Sequence, residues 1–117
     1  MEYVELEVWK EARVLVSMIY ESTFEFPEVE KYGFTSQIRR SSVSVPSNIA
    51  EGCGRRTAND TIRFLHMARG PLYELETQLY LAFNQRYLEN PEFDQLLKQI
   101  VKCKKLLNGF INYYNSK

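Results

Sequence analysis

Catalysis in this chain would have to come from one histidine, two cysteines and scattered carboxylates, and their spacing does not assemble it. His66 is the only possible imidazole base, yet Cys53 lies 13 residues earlier in a predicted loop, and nothing pairs the two as nucleophile and base. A general base needs positioned partners; on a helix His66 stands close to the face of Arg63 and Arg69, an exposed or interfacial place. Glu74 and Glu76, two residues apart, cannot share a helix face, and no Glu-x-x-His pair exists, so the carboxylate-bridged metal centre of some helical bundles is not encoded. Cys53 and Cys103 have neither Cys-x-x-Cys nor metal-ligand spacing, which predicts two reduced thiols. Gly52-Cys53-Gly54-Arg55-Arg56 has the glycines of a phosphate-cradling loop. It follows a helix rather than a strand, however, and lacks the Gly-Lys-Ser/Thr ending, so it reads as a helix terminus. These patterns predict a protein that is not an enzyme, with no catalytic residue, cofactor or metal.

Arginine is the charged residue that does cluster. The formal net charge is zero, which argues against a strongly basic nucleic-acid binder, but the distribution is uneven. Residues 1–34 carry eight acids against Lys10, Arg13 and Lys31. Residues 35–70 carry Arg39, Arg40, Arg55, Arg56, Arg63 and Arg69 against only Glu51 and Asp60. The guanidinium fork fits carboxylate and phosphate alike. Two readings follow: arginines paired with the acidic first helix, within or between subunits, or a phosphate-facing patch that a closed oligomer would repeat. Arg55 and Arg56 are the first candidates for ligand contact, because a glycine-flanked backbone fixes a structural ion pair less readily.

Helices must position these groups. Apolar residues recur at Phe34, Ile38, Val45, Ile49 and Gly52, with small Ser41 and Ser42 in the missing step, which is helical spacing. Serine, valine and an interior Pro46 oppose helix formation locally, the proline by about 3 kcal/mol. The segment from about Thr35 to Glu51 is therefore predicted as a buried central helix held by its neighbours, its small side chains allowing close approach and its hydroxyls meeting the carbonyls Pro46 frees. Gly52 and Gly54 end it in a left-handed cap. A first helix runs from about Leu6 to Phe24 with Trp9, Ala12, Val16, Ile19 and Thr23 inward, and Glu28 to Gly33 connect it onward. Thr57 or Asn59 caps a third helix whose inner face is Phe64, Leu65, Ala68, Leu72, Leu75, Leu79 and Ala82, bent at Gly70-Pro71. Asn90-Pro91 opens the fourth, with Pro91 at the first helical position and Phe93, Leu97, Ile100, Lys104, Leu107, Ile111 and Tyr114 inward. Short connections between long helices predict an all-α, antiparallel up-and-down four-helix bundle. Residues 1–117 form its single domain.

The same residues carry a resemblance. The run from Gln37 to Arg55, QIRRSSVSVPSNIAEGCGR, resembles the signature of the bacterial four-helix-bundle family named after proteins encoded in intervening sequences of 23S ribosomal RNA genes. Leu6-Glu7-Val8-Trp9, Phe26-Pro27 and Tyr32-Gly33-Phe34 precede it in the matching order. Arg63-Phe64-Leu65, Ala68-Arg69-Gly70 and Leu72 to Leu79 follow it, so the resemblance spans roughly Leu6 to Tyr114. Most members of this family have no established activity. Related accessory proteins of diversity-generating retroelements form pentameric barrels that bind nucleic acid and a reverse transcriptase. The resemblance thus implies a cyclic homo-oligomer, a pentamer favoured, and candidate partners of both kinds.

Composition accords with a compact module. Hydrophobic residues make up 44% and charged residues 26%, too balanced for disorder, and no apolar tract is long enough for a membrane. The N-terminus lacks the basic start and apolar core of a secretory signal, which predicts a cytoplasmic protein. Eight tyrosines, seven phenylalanines and one tryptophan exceed what a small bundle core absorbs, so some are expected at interfaces. The expected function is a non-enzymatic, homo-oligomeric binding or scaffold protein contacting RNA or other nucleic acid through Arg39, Arg40, Arg55, Arg56, Arg63 and Arg69. The alternative is a protein-binding adaptor, for instance for a reverse transcriptase, that binds no nucleic acid itself.

Overall fold

A computed structural model describes residues 2–116. Four long helices follow one another: α1 (Glu7–Thr23), α2 (Phe34–Cys53), α3 (Ala58–Asn84) and α4 (Glu92–Asn115), with short 3-10 turns at Tyr3–Glu5 and Glu28–Glu30. Each packs against its neighbours in sequence and α1 closes onto α4, as in an up-and-down bundle of 45 × 26 × 21 Å. Between the second and third helices, Ser41 bonds Glu74 while Thr61 bonds Gly52, which fixes the pair as antiparallel.

The α2–α3 seam is the most extensive of the four, and the small residues of α2 account for it. Ser41, Ser42 and Gly52 are buried with Ile38, Val45 and Ile49. A Cβ placed on Gly52 would come within 3.1 Å of Phe64 Cβ and 3.2 Å of the Thr61 carbonyl oxygen, so glycine is required there by close approach. Pro46 lies inside the continuous helix, as its period demanded. The expected rescue of the carbonyl it frees does not occur: Ser42 Oγ donates to the Arg39 carbonyl at 2.8 Å, and Ser41 Oγ donates to Glu74 Oε1 at 3.0 Å. Tertiary packing, not hydroxyl capping, holds this segment.

Three further details depart from expectation. Gly52 sits within the helix and Gly54, at φ −87°, is right-handed, so α2 ends without a left-handed glycine. The helix runs longer than predicted because Cys53, placed by the sequence in a loop, belongs to its last turn. The left-handed position is instead Arg86, at φ 66°, just after α3. There Arg86 N–H donates to the Phe83 carbonyl and Tyr87 N–H to the Ala82 carbonyl, the paired bonds of a Schellman terminus. Pro91 occupies the capping position before α4, not the first helical one.

Thr57 caps α3 by accepting the Asp60 N–H at 3.1 Å, and Asp60 places a negative charge in the first turn. The 17-residue α1 turns Val8, Ala12, Leu15, Ile19 and Thr23 inward; Ala12, Ile19 and Thr23 are as predicted, while Val8 and Leu15 replace Trp9 and Val16, which are half-buried. On α4 the buried stripe adds Leu96 and Cys103, while Leu97, Lys104 and Tyr114 are its half-buried flank. The predicted α3 face is buried throughout except for half-buried Phe64. Each fully buried leucine or isoleucine of this core contributes about 1.5–3 kcal/mol of transfer free energy. Among the described residues, no helix is long and apolar enough to cross a membrane.

Candidate nucleic-acid interface

The six arginines do not form one patch. Because α2 and α3 run antiparallel, Arg55, Arg56 and Arg63 gather at one end of the bundle around the α2–α3 connection, with Arg69 further along α3. Arg39 and Arg40 lie in the first half of α2, about 23 Å along its axis from Arg55 at about 1.5 Å per residue.

At the connection, Phe64 organises the cluster. The Arg55 guanidinium lies 4.3 Å from its ring centroid and that of Arg63 lies 5.0 Å away, so two cations share one half-buried aromatic ring. Arg55 also pairs with Glu51 at 2.6 Å and Arg63 with Asp60 at 3.7 Å, both exposed contacts within a helical turn. The expectation that the glycines would leave Arg55 without a structural ion pair is therefore not met. Arg56 is exposed and, among the described residues, has no carboxylate within ion-pair distance. His66 is exposed on α3. Exposed i,i+4 pairs contribute only about 0.3–0.5 kcal/mol, so a phosphate can displace such a carboxylate at small cost.

Elsewhere the arginines have neutral partners. Arg39 Nε donates to Thr23 Oγ1 at 2.9 Å and its guanidinium lies 4.7 Å from the Tyr20 ring. Arg40 is exposed, reaching Ser36 Oγ at 3.4 Å, and half-buried Arg69 lies 5.7 Å from the Tyr73 ring. Among the described residues, none of the six is ion-paired to a carboxylate of the acidic first segment. That segment's Glu11 instead pairs with Lys102 of α4 at 3.4 Å, and its carboxyl is held below the ordinary range first by the Gln99 amide and then by Lys102. Among the described residues, α1 thus does not neutralise the arginines within the chain, a point the charge distribution along the sequence leaves open. The sequence period marks Phe64 only as core; its arginine neighbours at positions 55 and 63 become visible once the helix turn brings them together.

Burial pushes the Cys53 thiol up and the Cys103 thiol up to about 12, so neither is a thiolate at neutral pH. Among the described residues, no group of three or more His, Cys, Asp or Glu could hold a metal ion.

A family model described as 23S rRNA-intervening sequence protein matches residues 4–109. Among solved structures, a protein of unknown function from the S23 ribosomal protein family of Bacteroides thetaiotaomicron superposes with a TM-score of 0.79. It is 23% identical, and the alignment covers 89% of this chain and 97% of that one, a likeness of fold. No curated protein matches the chain significantly.

Proposed function

The chain belongs to the 23S rRNA-intervening sequence protein family, and on that premise we propose a non-enzymatic, homo-oligomeric helical-bundle scaffold that contacts RNA or other nucleic acid through arginine. The observation that carries the reading is the Arg55–Phe64–Arg63 cluster with unpaired Arg56 beside it. Guanidinium groups on a half-exposed aromatic ring at a bundle end suit a phosphate backbone, which positions a strand without reading its sequence. A closed ring, five copies by resemblance to the retroelement accessory proteins, repeats the cluster once per subunit and raises the local potential although each chain is neutral. The groove of about 390 Å³ between α1 and α2, lined by Trp9, Val16, Val43, Pro46 and Ala50, supports a second copy as the neighbour. So does the sign difference between the acidic first segment and the arginine-bearing middle one.

The test is a titration with structured RNA at several salt concentrations. Affinity falls by about 0.7–0.9 log units per phosphate contact for each tenfold rise in salt and is indifferent to base sequence. Changing Arg55 and Arg56 together to alanine weakens binding while helicity and particle mass hold. Wild-type protein that ignores RNA at low salt would sink the reading. The adaptor reading would then replace it, supported by Phe24, Val29 and Tyr32, which are 82–88% exposed at the other end of the bundle.

A further inference from the structure

Arg39 is held without a carboxylate. Its Nε donates to Thr23 Oγ1 at 2.9 Å, and Thr23 in turn donates to the Ile19 carbonyl at 2.7 Å, so the accepting hydroxyl is itself fixed. The Tyr20 ring lies 4.7 Å from the guanidinium. These contacts use Nε and the π-face of the side chain and leave the two Nη groups, the prongs that grip oxyanions bidentately, without an acceptor among the described residues. Arg39 borders a cavity of about 210 Å³ between the end of α1 and the first turns of α2. Lys31 and Thr35 line the same cavity.

Thr35 supplies the independent observation. It is 7% exposed, and its Oγ1 is buried with no hydrogen-bond partner among the described residues, a state that costs about 1–3 kcal/mol unless something else fills it. Thr35 also stands in the first turn of the 20-residue α2, where its own N–H and that of Ser36 lack backbone acceptors. The helix dipole there favours negative charge. Glu30 already caps part of this terminus, taking the Phe34 N–H at 3.3 Å on one oxygen and the Tyr87 hydroxyl at 2.9 Å on the other. Its carboxylate is thus committed to those two donors. Glu28, also on the cavity wall, is a rim residue whose side chain is 89% exposed and 3.9 Å from Lys31.

We propose that this cavity binds a phosphate-type oxyanion, gripped by the Arg39 Nη pair, the Lys31 ammonium and the Thr35 hydroxyl. The volume takes one phosphate group with room for a few waters. Thr35 turns its hydroxyl toward the anion, and the anion's second charge faces the open helix terminus. The site stands apart from the Arg55–Phe64–Arg63 cluster and does not depend on its reading. The phosphate can be free or part of a nucleic-acid backbone; the chemistry of the grip is the same.

The test is an NMR titration of isotope-labelled protein with inorganic phosphate, ionic strength held with chloride, following the Arg39 Nε–Hε and Thr35 amide signals. Saturable shifts at both positions are expected, and none with chloride alone. Arg39→Lys keeps the charge but loses the fork, and Thr35→Val keeps the shape but loses the hydroxyl. Each weakens phosphate binding by about tenfold or more, whereas the Arg55/Arg56 double alanine variant binds phosphate as wild type does. If a short oligonucleotide displaces phosphate from these signals, the source is a nucleic-acid backbone; if only phosphate and phosphomonoesters bind, the source is free phosphate. Either outcome supports the site. Absence of saturable shifts in the wild type overturns it, as does a folded Thr35→Val variant that binds with undiminished affinity.

Discussion

Thr61 Oγ1 donates to the Gly52 carbonyl at 2.9 Å in the buried seam between α2 and α3. The bond exists because Gly52 has no side chain: with a Cβ only 3.1 Å from Phe64 Cβ, the helices would have to separate. Gly52→Ala gains helix propensity, at most about 1 kcal/mol, but both close neighbours are anchored to the α3 backbone and cannot swing aside. Overpacking of about 1–3 kcal/mol wins. The variant is expected to melt about 4 °C or more below wild type, and Thr61→Val to fall by a similar amount, with Thr61→Ser close to native. Calorimetry decides, and an unchanged Gly52→Ala midpoint would contradict the close-approach argument.

Arg86 offers a change in the other direction. Its φ of 66° is unfavourable for a residue with a Cβ, about 1–2 kcal/mol above the right-handed region. Glycine adopts it freely but loses more entropy on folding. Arg86→Gly is therefore expected to stabilise the protein by about 0.5–1 kcal/mol, measured by urea denaturation. A loss of stability would mean that the Arg86 side chain contributes more than its backbone strain costs.

Much of the bundle is legible in the sequence, for identifiable reasons. The stripe from Leu65 through Ala82 and the series Ile38, Val45, Ile49 hold a strict helical period, and burial follows it. Pro46 could be placed inside a helix because the period around it never breaks. What misled were residues with two roles. Gly52 looks like a terminator but is a spacer, and Trp9 and Val16 look like core but line an open groove. Arg86 carries no local signal for a left-handed turn. The candidate sites are legible as a list of arginines only. Their division into two ends, and the neutral cradle of Tyr20 and Thr23 around Arg39, arise from contacts between helices that no spacing encodes.

The buried Cys103 thiol and the half-buried Cys53 thiol set an alkaline limit. Burial, with a smaller push from Glu11, raises Cys103 from an ordinary value near 9.0 to about 12, and burial raises Cys53 as well. Hydrogen bonding to Glu30 raises the Tyr87 phenol too. For a group whose folded pKa is raised, the folded state binds more protons. The stabilising contribution is complete below the unfolded value and is lost as pH rises toward the folded one. Stability is expected to hold up to about pH 9 and to decline from there toward pH 12. Replacing Cys103 with alanine should flatten that decline, although the lost sulfur lowers stability at neutral pH. In native protein at pH 8, Cys103 should resist a thiol reagent that labels it promptly once urea is added. Rapid native labelling would place it outside the core.

Ser42 and Val43 are adjacent on α2 and face opposite fates. Ser42 is fully buried, with its hydroxyl on the Arg39 carbonyl, while Val43 is 39% exposed on the groove with Trp9 and Pro46. Lysine at position 42 would carry an ammonium into a seam with no carboxylate within its own helical turn, at a cost of several kcal/mol. Ser42→Lys is therefore expected to abolish the cooperative helical melt. Lysine at position 43 can reach water, so Val43→Lys should keep its helicity and melt within a few degrees of wild type. If the groove is where the next copy docks, however, it puts a charge where an apolar contact must form. Light scattering on the two variants beside wild type separates fold from assembly. Loss of oligomer mass in Val43→Lys, with its circular dichroism intact, is the expected result. A Val43→Lys particle of wild-type mass would move the subunit contact to another face, and a wild-type protein that is monomeric at micromolar concentration would remove the ring altogether.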